Sequence, residues 1–198
     1  MPLWSGRLRL RTYVFACVGV MLAALLVEHM LGRLTISKSG HVRLWASVST
    51  SELSQQIADA YSFSHIIHGF AFYGLFHLLN RFVGRGKWPL GLCLLLAISI
   101  ECAWEILENT NFIIDRYRKS TLSLDYYGDS ILNSLCDILF AAFGFVLAAR
   151  LPVWATIGLI VAMELGAGLA IRDNLTLNII MLLHPVERIK HWQMARGF

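Results

Sequence analysis

The chain has 198 residues, 57% of them hydrophobic and 15% charged, with a mean hydropathy of +0.59. A water-soluble domain carries about 25% charged residues, so the composition excludes an ordinary soluble fold. It predicts an all-α integral membrane helical bundle with five or six transmembrane helices, in a single multi-pass domain covering the whole chain. The net charge of +4 is spread over short loops, where it orients the spans; it calls for no nucleic-acid partner.

Three arginines (Arg7, Arg9, Arg11) precede the first apolar run, and Glu28-His29 follows it where a small-residue cleavage site would stand. That pattern predicts an uncleaved signal anchor and first span at residues 12–31. The polar, serine-rich segment at residues 32–61 contains SELSQQIADAYS. Its apolar positions Leu53, Ile57 and Ala60 have the spacing of a short amphipathic helix on the membrane surface.

The second span is expected at residues 63–83, with His65 and His68 on one face near its start. A turn with Arg81, Arg85, Lys87 and the interfacial anchor Trp88 leads to the third span, residues 89–108. A polar loop containing Arg116 separates it from the fourth, residues 129–149. Pro152 then ends one helix and starts the next, giving a fifth span at residues 153–171. The last apolar stretch, LTLNIIMLL at residues 175–183, has nine residues where about 20 are needed to cross. It is expected as a re-entrant or interfacial helix, or as a short span continued into HPVERIKHWQ. The four cysteines (Cys17, Cys93, Cys102, Cys136) fall in apolar runs without metal spacing and are expected to pack.

Ionisable groups at membrane depth are costly, by about 2.5–3.5 kcal/mol each. Residues 101–137 nevertheless hold Glu101, Glu105 and Glu108 at i, i+4, i+7, and Asp129, Asn133 and Asp137 at i, i+4, i+8. Each set makes one helical stripe. Five alternating spans would bring both stripes, His65, His68, Glu28, His29 and Asp173 to the same leaflet. Like charges packed in such a cleft cannot all ionise: some of the carboxyls stay protonated, or a cation is present. The internal candidates are Arg116, His65, His68 and His29; whether a metal or other cofactor is used is open. The candidate catalytic set is His65, His68, Glu101, Glu105, Arg116, Asp129, Asn133 and Asp137. Each has a plainer alternative: interfacial histidines, bundle-holding charge pairs, a first-turn acid at Asp129, a topology marker at Arg116. Glu164 is expected to pair structurally with another helix. The basic residues balance between the two faces, and the arginines before the first span decide for a cytoplasmic N-terminus.

Through HIIHGFAFYGLFHLLNR, ECAWEILE, DYYGDSILNSLCDILFAAFGF and RDNLTLNIIMLLHPVE, nearly the whole chain resembles an uncharacterised family of small multi-pass bacterial inner-membrane proteins. That resemblance implies the inner membrane and carries no activity. The order of motifs is more distantly similar to VanZ-like proteins, on His65 or His68, Glu101 or Glu105, Arg116, Asp129, Asn133 and Gly144; it implies a role in the cell envelope. The glutamates beyond that pattern and the tail after residue 171 depart from it.

Three functions fit these residues. One is acid–base or metal-assisted chemistry on a lipid headgroup or lipid-linked substrate, with Arg116 binding phosphate. The second is a non-enzymatic cation or small-solute binder or transporter, which would continue its polar groups to the other leaflet. The third is a structural partner in an envelope complex. In every case the lipid bilayer is the primary partner.

Overall fold

The computed structural model describes residues 10–48, 50–120 and 126–195. The orienting arginines at positions 7 and 9 lie outside the described residues. Five long helices carry the bundle: α1 (Leu10–Met30), α2 (Ser62–Phe82), α3 (Leu90–Glu108), α5 (Ile131–Ala148) and α6 (Val153–Ile171). Three short ones, α4 (Asn111–Ser120), α7 (Leu175–Leu183) and α8 (Glu187–Met194), gather at one end. No strand occurs among the described residues. α1, α3, α5 and α6 are long and apolar enough to cross a membrane. α2 is as long, but its Ser, His and Asn residues dilute its apolar character. The long helices start and stop within two residues of the limits expected from the sequence.

α2 and α5 form the tight central pair. A Cβ on Gly69 would stand 2.0 Å from the Ala141 carbonyl oxygen, and one on Gly144 would stand 2.2 Å from that of Ile66. Glycine at these two positions lets the backbones touch, the usual basis of helix association in lipid. α3 packs beside them. Leu90, Cys93 and Ala97 meet Phe76 and Phe145 near one end, and Ile98 and Cys102 meet Ile138, Cys17 and Ala24 further along. α1 lies outside α3, with Gly91 against the Tyr13 ring. α6 is peripheral; Trp154, Ile157, Leu165 and Leu169 are exposed, as side chains facing lipid would be.

At the opposite end from Tyr13 and Gly91 the helices are joined by polar structure. Four amides at the start of α5 are all satisfied. Ser130 N–H donates to Ser54 O, Ile131 N–H to Leu34 O, Leu132 N–H to Thr35 O, and Asn133 N–H to the Ser130 hydroxyl. This loop contains no amphipathic surface helix, contrary to the expectation for SELSQQIADAYS. Gln55 and Gln56 are buried and bond Gly128 O and His41 O, and Ser54 takes a positive φ of 58°. Polar side chains with partners inside the protein outweigh a weak helical spacing. The loop expected between the third and fourth spans likewise contains a helix, α4, whose Ile113, Ile114 and Tyr117 are buried.

α7 is re-entrant. Its first amides, of Leu175 and Thr176, donate to the two Glu164 carboxylate oxygens at 3.0 and 3.1 Å. Asn174 caps Leu177 N–H at 2.8 Å. Glu164 lies two turns before the end of α6, about 10 Å along the axis, so the chain reverses at Arg172 and dips back before α7 begins. Helix ends at such depth require partners, and Glu164 supplies them. α7 then rises about 13 Å to α4, where Arg116 donates to Leu182 O and Leu183 O at 2.8 and 3.2 Å.

Candidate functional site

A cavity of about 300 Å3 opens among α2, α3, α4, α7 and the loop before α2. Its polar wall carries His65 and His68 from α2, Glu101 and Glu108 from α3, Asp137 from α5, and Asp59 and Asp129 from the connections. Tyr61, Tyr117 and Tyr126 add hydroxyls. Phe72, Ile100, Trp104, Leu175, Ile179 and Leu182 make the apolar wall. Among the described residues, no lysine or arginine lines it.

His65 stands at the centre. Its Nδ1 lies 2.6 Å from Glu101 Oε1 and 3.4 Å from Glu105 Oε1, and its Nε2 lies 3.8 Å from Asp137 Oδ2. His68 Nδ1 is 3.1 Å from both Glu101 oxygens, and the two imidazoles meet edge-on at 5.3 Å. As a carboxylate, Glu101 accepts from both rings. The geometry follows from the sequence spacing. One turn of α2 offers two histidines to one side, and the i, i+4, i+7 stripe of α3 faces them. Asp137 enters from α5 because Gly69 and Gly144 draw α5 close to α2.

The rim is held by a separate hydrogen-bond set. Asp129 accepts from the Tyr126 hydroxyl at 2.9 Å and from Asn109 Nδ2 at 3.1 Å, and its amide donates to Asn109 Oδ1 at 2.8 Å. Asp59 accepts the amides of Tyr61 and Ser54 at 2.7 and 3.0 Å. Burial nevertheless pushes the Asp59 carboxyl above its ordinary pKa. Burial also raises the Tyr117 and Tyr126 phenols, which keeps them protonated donors near neutrality. Tyr117 hydrogen-bonds Glu108, and Tyr61 donates to Asp173 at 2.9 Å.

Of the eight sequence candidates, His65, His68, Glu101, Asp129 and Asp137 line the cavity. Glu105 lies directly behind it against His65. Asp129 precedes α5 instead of opening it as the first residue of a stripe. Asn133 is turned to the loop, donating to Gln56 O at 2.9 Å. Arg116 caps α7 and does not face the carboxylates, so its expected place as their counter-charge is not found. Of the motif order similar to VanZ-like proteins, the histidine, glutamate and Asp129 positions reach the cavity, whereas Gly144 is a packing contact with α2. His29 is exposed. The sequence reasoning missed Asp59, Tyr61, Tyr117, Tyr126 and Trp104. An acid six residues before His65, and a tyrosine at i+3 from Ile114, were the signals available.

Glu164 is committed to α7, and His77 packs on the Tyr73 ring at 5.8 Å.

Residues 28–195 match the family described as "Protein of unknown function (DUF2585)". A UPF0314 protein of Rhizobium meliloti (strain 1021) is 51% identical over 186 residues, covering 93% of this chain and 92% of its own length. One from Sinorhizobium fredii (strain NBRC 101917 / NGR234) is 53% identical over 182 residues, covering 91% and 90%. One from Novosphingobium aromaticivorans is 51% identical over 179 residues, covering 90% of each chain. No solved structure matches the chain. With 168 consecutive residues matched, from 28 to 195, and bacterial relatives aligned over nine-tenths of their length, the chain belongs to the DUF2585 family.

Proposed function

We propose that this protein works in the bacterial inner membrane, N-terminus in the cytoplasm, and that its cavity performs acid–base chemistry on the headgroup of a lipid or lipid-linked substrate. The observation that carries this reading is His65, held at 2.6 Å by Glu101 and facing Asp137 at 3.8 Å inside an open cavity. An imidazole between two carboxylates has an acceptor for its proton on either side. A substrate with an apolar tail fits the cavity's two walls. Ile100 and Ile179 line it and are also exposed, at 41% and 46%. Its mouth therefore lies on the apolar flank, between α3 and α7, where a lipid would enter sideways. Glu101 and His68 orient His65, Asp137 takes or gives the second proton, and the tyrosines hold the headgroup. The position of Arg116 gives no support to a phosphate-binding role.

The second reading, a cation or small-solute binder, is favoured by one feature: among the described residues, five carboxylates line the cavity and no lysine or arginine does. A deletion strain complemented with variants separates the two. His65→Gln and Glu101→Gln, present in the membrane at wild-type level, are expected to lose the envelope-lipid change that the wild-type gene restores. Full complementation by both variants would end the acid–base reading. A lipid profile unaltered by deletion, alongside altered cation content, would favour the binder.

A further inference from the structure

We propose that His65, Glu105 and Glu108 hold one divalent transition-metal cation, with Glu101 and His68 completing its surroundings and Asp137 positioning the imidazole. His65, Glu105 and Glu108 each present a ligand atom within 4.8 Å of the others. Metal bonds of about 2.0–2.2 Å set ligand atoms up to about 4.4 Å apart, so small side-chain rotations close the site. His65, His68 and Glu101 make a second such group sharing the same imidazole.

Two further observations point to a missing cation. Glu105 has 0% exposure, and neither carboxylate oxygen has a hydrogen-bond partner. His65 Nδ1 lies 3.4 Å from its Oε1, and Glu101 approaches the same nitrogen at 2.6 Å. A buried carboxylate without a donor is among the costliest arrangements in a protein. Around it stand Glu101, Glu108, Asp129 and Asp137, with no lysine or arginine on the cavity wall among the described residues. A divalent ion at Nδ1 would offset two of these charges and give Glu105 its partner. The other ring nitrogen, Nε2, faces Asp137 at 3.8 Å, a gap that one small side-chain rotation would close into the carboxylate–histidine hydrogen bond that fixes the tautomer of a metal ligand. One imidazole with several carboxylates suits zinc or manganese better than calcium or magnesium. The i, i+4, i+7 stripe of Glu101, Glu105 and Glu108 on α3 thus becomes a ligand row facing one histidine.

This deepens the acid–base reading of the same cavity and rests on it only for the metal's use: with the ion bound, His65 serves as ligand and a water on the ion takes over its part in moving the proton; binding is measured without substrate. The full chain in detergent, stripped with chelator, is titrated with Zn2+ and assayed by elemental analysis after dialysis and by thermal unfolding. About one ion per chain is expected, with a Tm rise on binding. Glu105→Gln and Glu108→Gln should each weaken binding at least about 10-fold, and Asp115→Asn on the exposed face of α4 should not. Glu105→Gln removes a buried charge, so its metal-free form should melt no lower than wild type, which shows that it folds. With Co2+ in place of Zn2+, His65→Gln should alter the visible absorption bands. Failure to retain a stoichiometric ion, wild-type affinity in both glutamine variants, or equal competition by Mg2+ would each overturn the site. Bound Zn2+ together with a complementing Glu101→Gln variant would refute the acid–base reading and leave the metal site standing. No bound ion with a non-complementing Glu101→Gln would do the reverse.

Discussion

Asp59 shows how a single side chain ties the cavity to stability. It sits in the loop ahead of α2, 2% exposed, and its two oxygens accept the Tyr61 and Ser54 amides. Burial outweighs those bonds and raises its pKa above the usual value. A carboxyl raised on folding favours the protonated state, so its contribution is fully present below the ordinary value near 4 and is lost as pH rises through the folded value. Thermal unfolding followed from pH 4 upward should therefore decline in the wild type through that window. Asp59→Asn should flatten this part of the profile. It should also lower stability by about 1–3 kcal/mol throughout, because an amide cannot accept both backbone donors. An unchanged pH slope in the variant would show that another group sets it. Legibility at this scale depended on whether a residue's neighbours come from its own helix. Glu101, Glu105 and His65 were readable because a 3.6-residue period puts each on a face. Asp59, Tyr117 and Tyr126 were not, because loop and α4 geometry bring them in. Arg116 was misplaced for a related reason: a cation near acids in sequence found the carbonyl end of α7 in space.

Among the elements, α2 and α7 carry the site by opposite means. α2 is fixed by backbone contact with α5, and substitution tests this directly. Gly144→Ala would put a methyl group 2.2 Å from the Ile66 carbonyl oxygen, and neither backbone can yield without moving its helix. A loss of about 2–3 kcal/mol is expected, read by thermal unfolding in detergent. The same substitution at Gly158, where a Cβ meets nothing within 4 Å, should change little. α7 is fixed by its capping. Glu164→Gln keeps one acceptor and removes the other, so the Leu175 and Thr176 amides should exchange hydrogen faster, by a factor that reflects about 1–2 kcal/mol of local opening. Since Leu175 and Ile179 form the cavity's apolar wall, a loosened α7 would also widen its mouth. The nine-residue length falls short of an ordinary span. That α7 starts beside the middle of α6 follows from Glu164, whose partner on α7 no periodicity within α6 reveals.

For the molecule as a whole, the decisive property is that five long antiparallel helices place all their polar ends together. Tyr61 reaches Asp173, Asn109 reaches Asp129, and Ile131 is bonded to Leu34. These contacts tie the α1–α2, α3–α5 and α6–α7 connections into one cap. The other end holds the α2–α3 turn, pinned by the reciprocal Asn80–Trp88 pair at 3.0 Å each way, and the short α5–α6 turn at Pro152. The alternation was foreseeable from span count alone, because an odd number of crossings returns every second connection to the same face. If the bundle spans the bilayer as it is built, Lys87 and Arg150 must share a compartment, and Ser39 and Asn111 must share the opposite one. Single cysteines at these four positions in a cysteine-free background test this with a membrane-impermeant thiol reagent on intact cells. With the N-terminus in the cytoplasm, the cysteines at 39 and 111 should label from outside and those at 87 and 150 only after permeabilisation. The reversed pattern would turn the cavity toward the cytoplasm, restricting its substrates to the inner leaflet. Labelling of 87 and 111 from the same side would mean that α3 does not cross, and the stripe of glutamates facing His65 would lose the membrane depth that makes its charges costly.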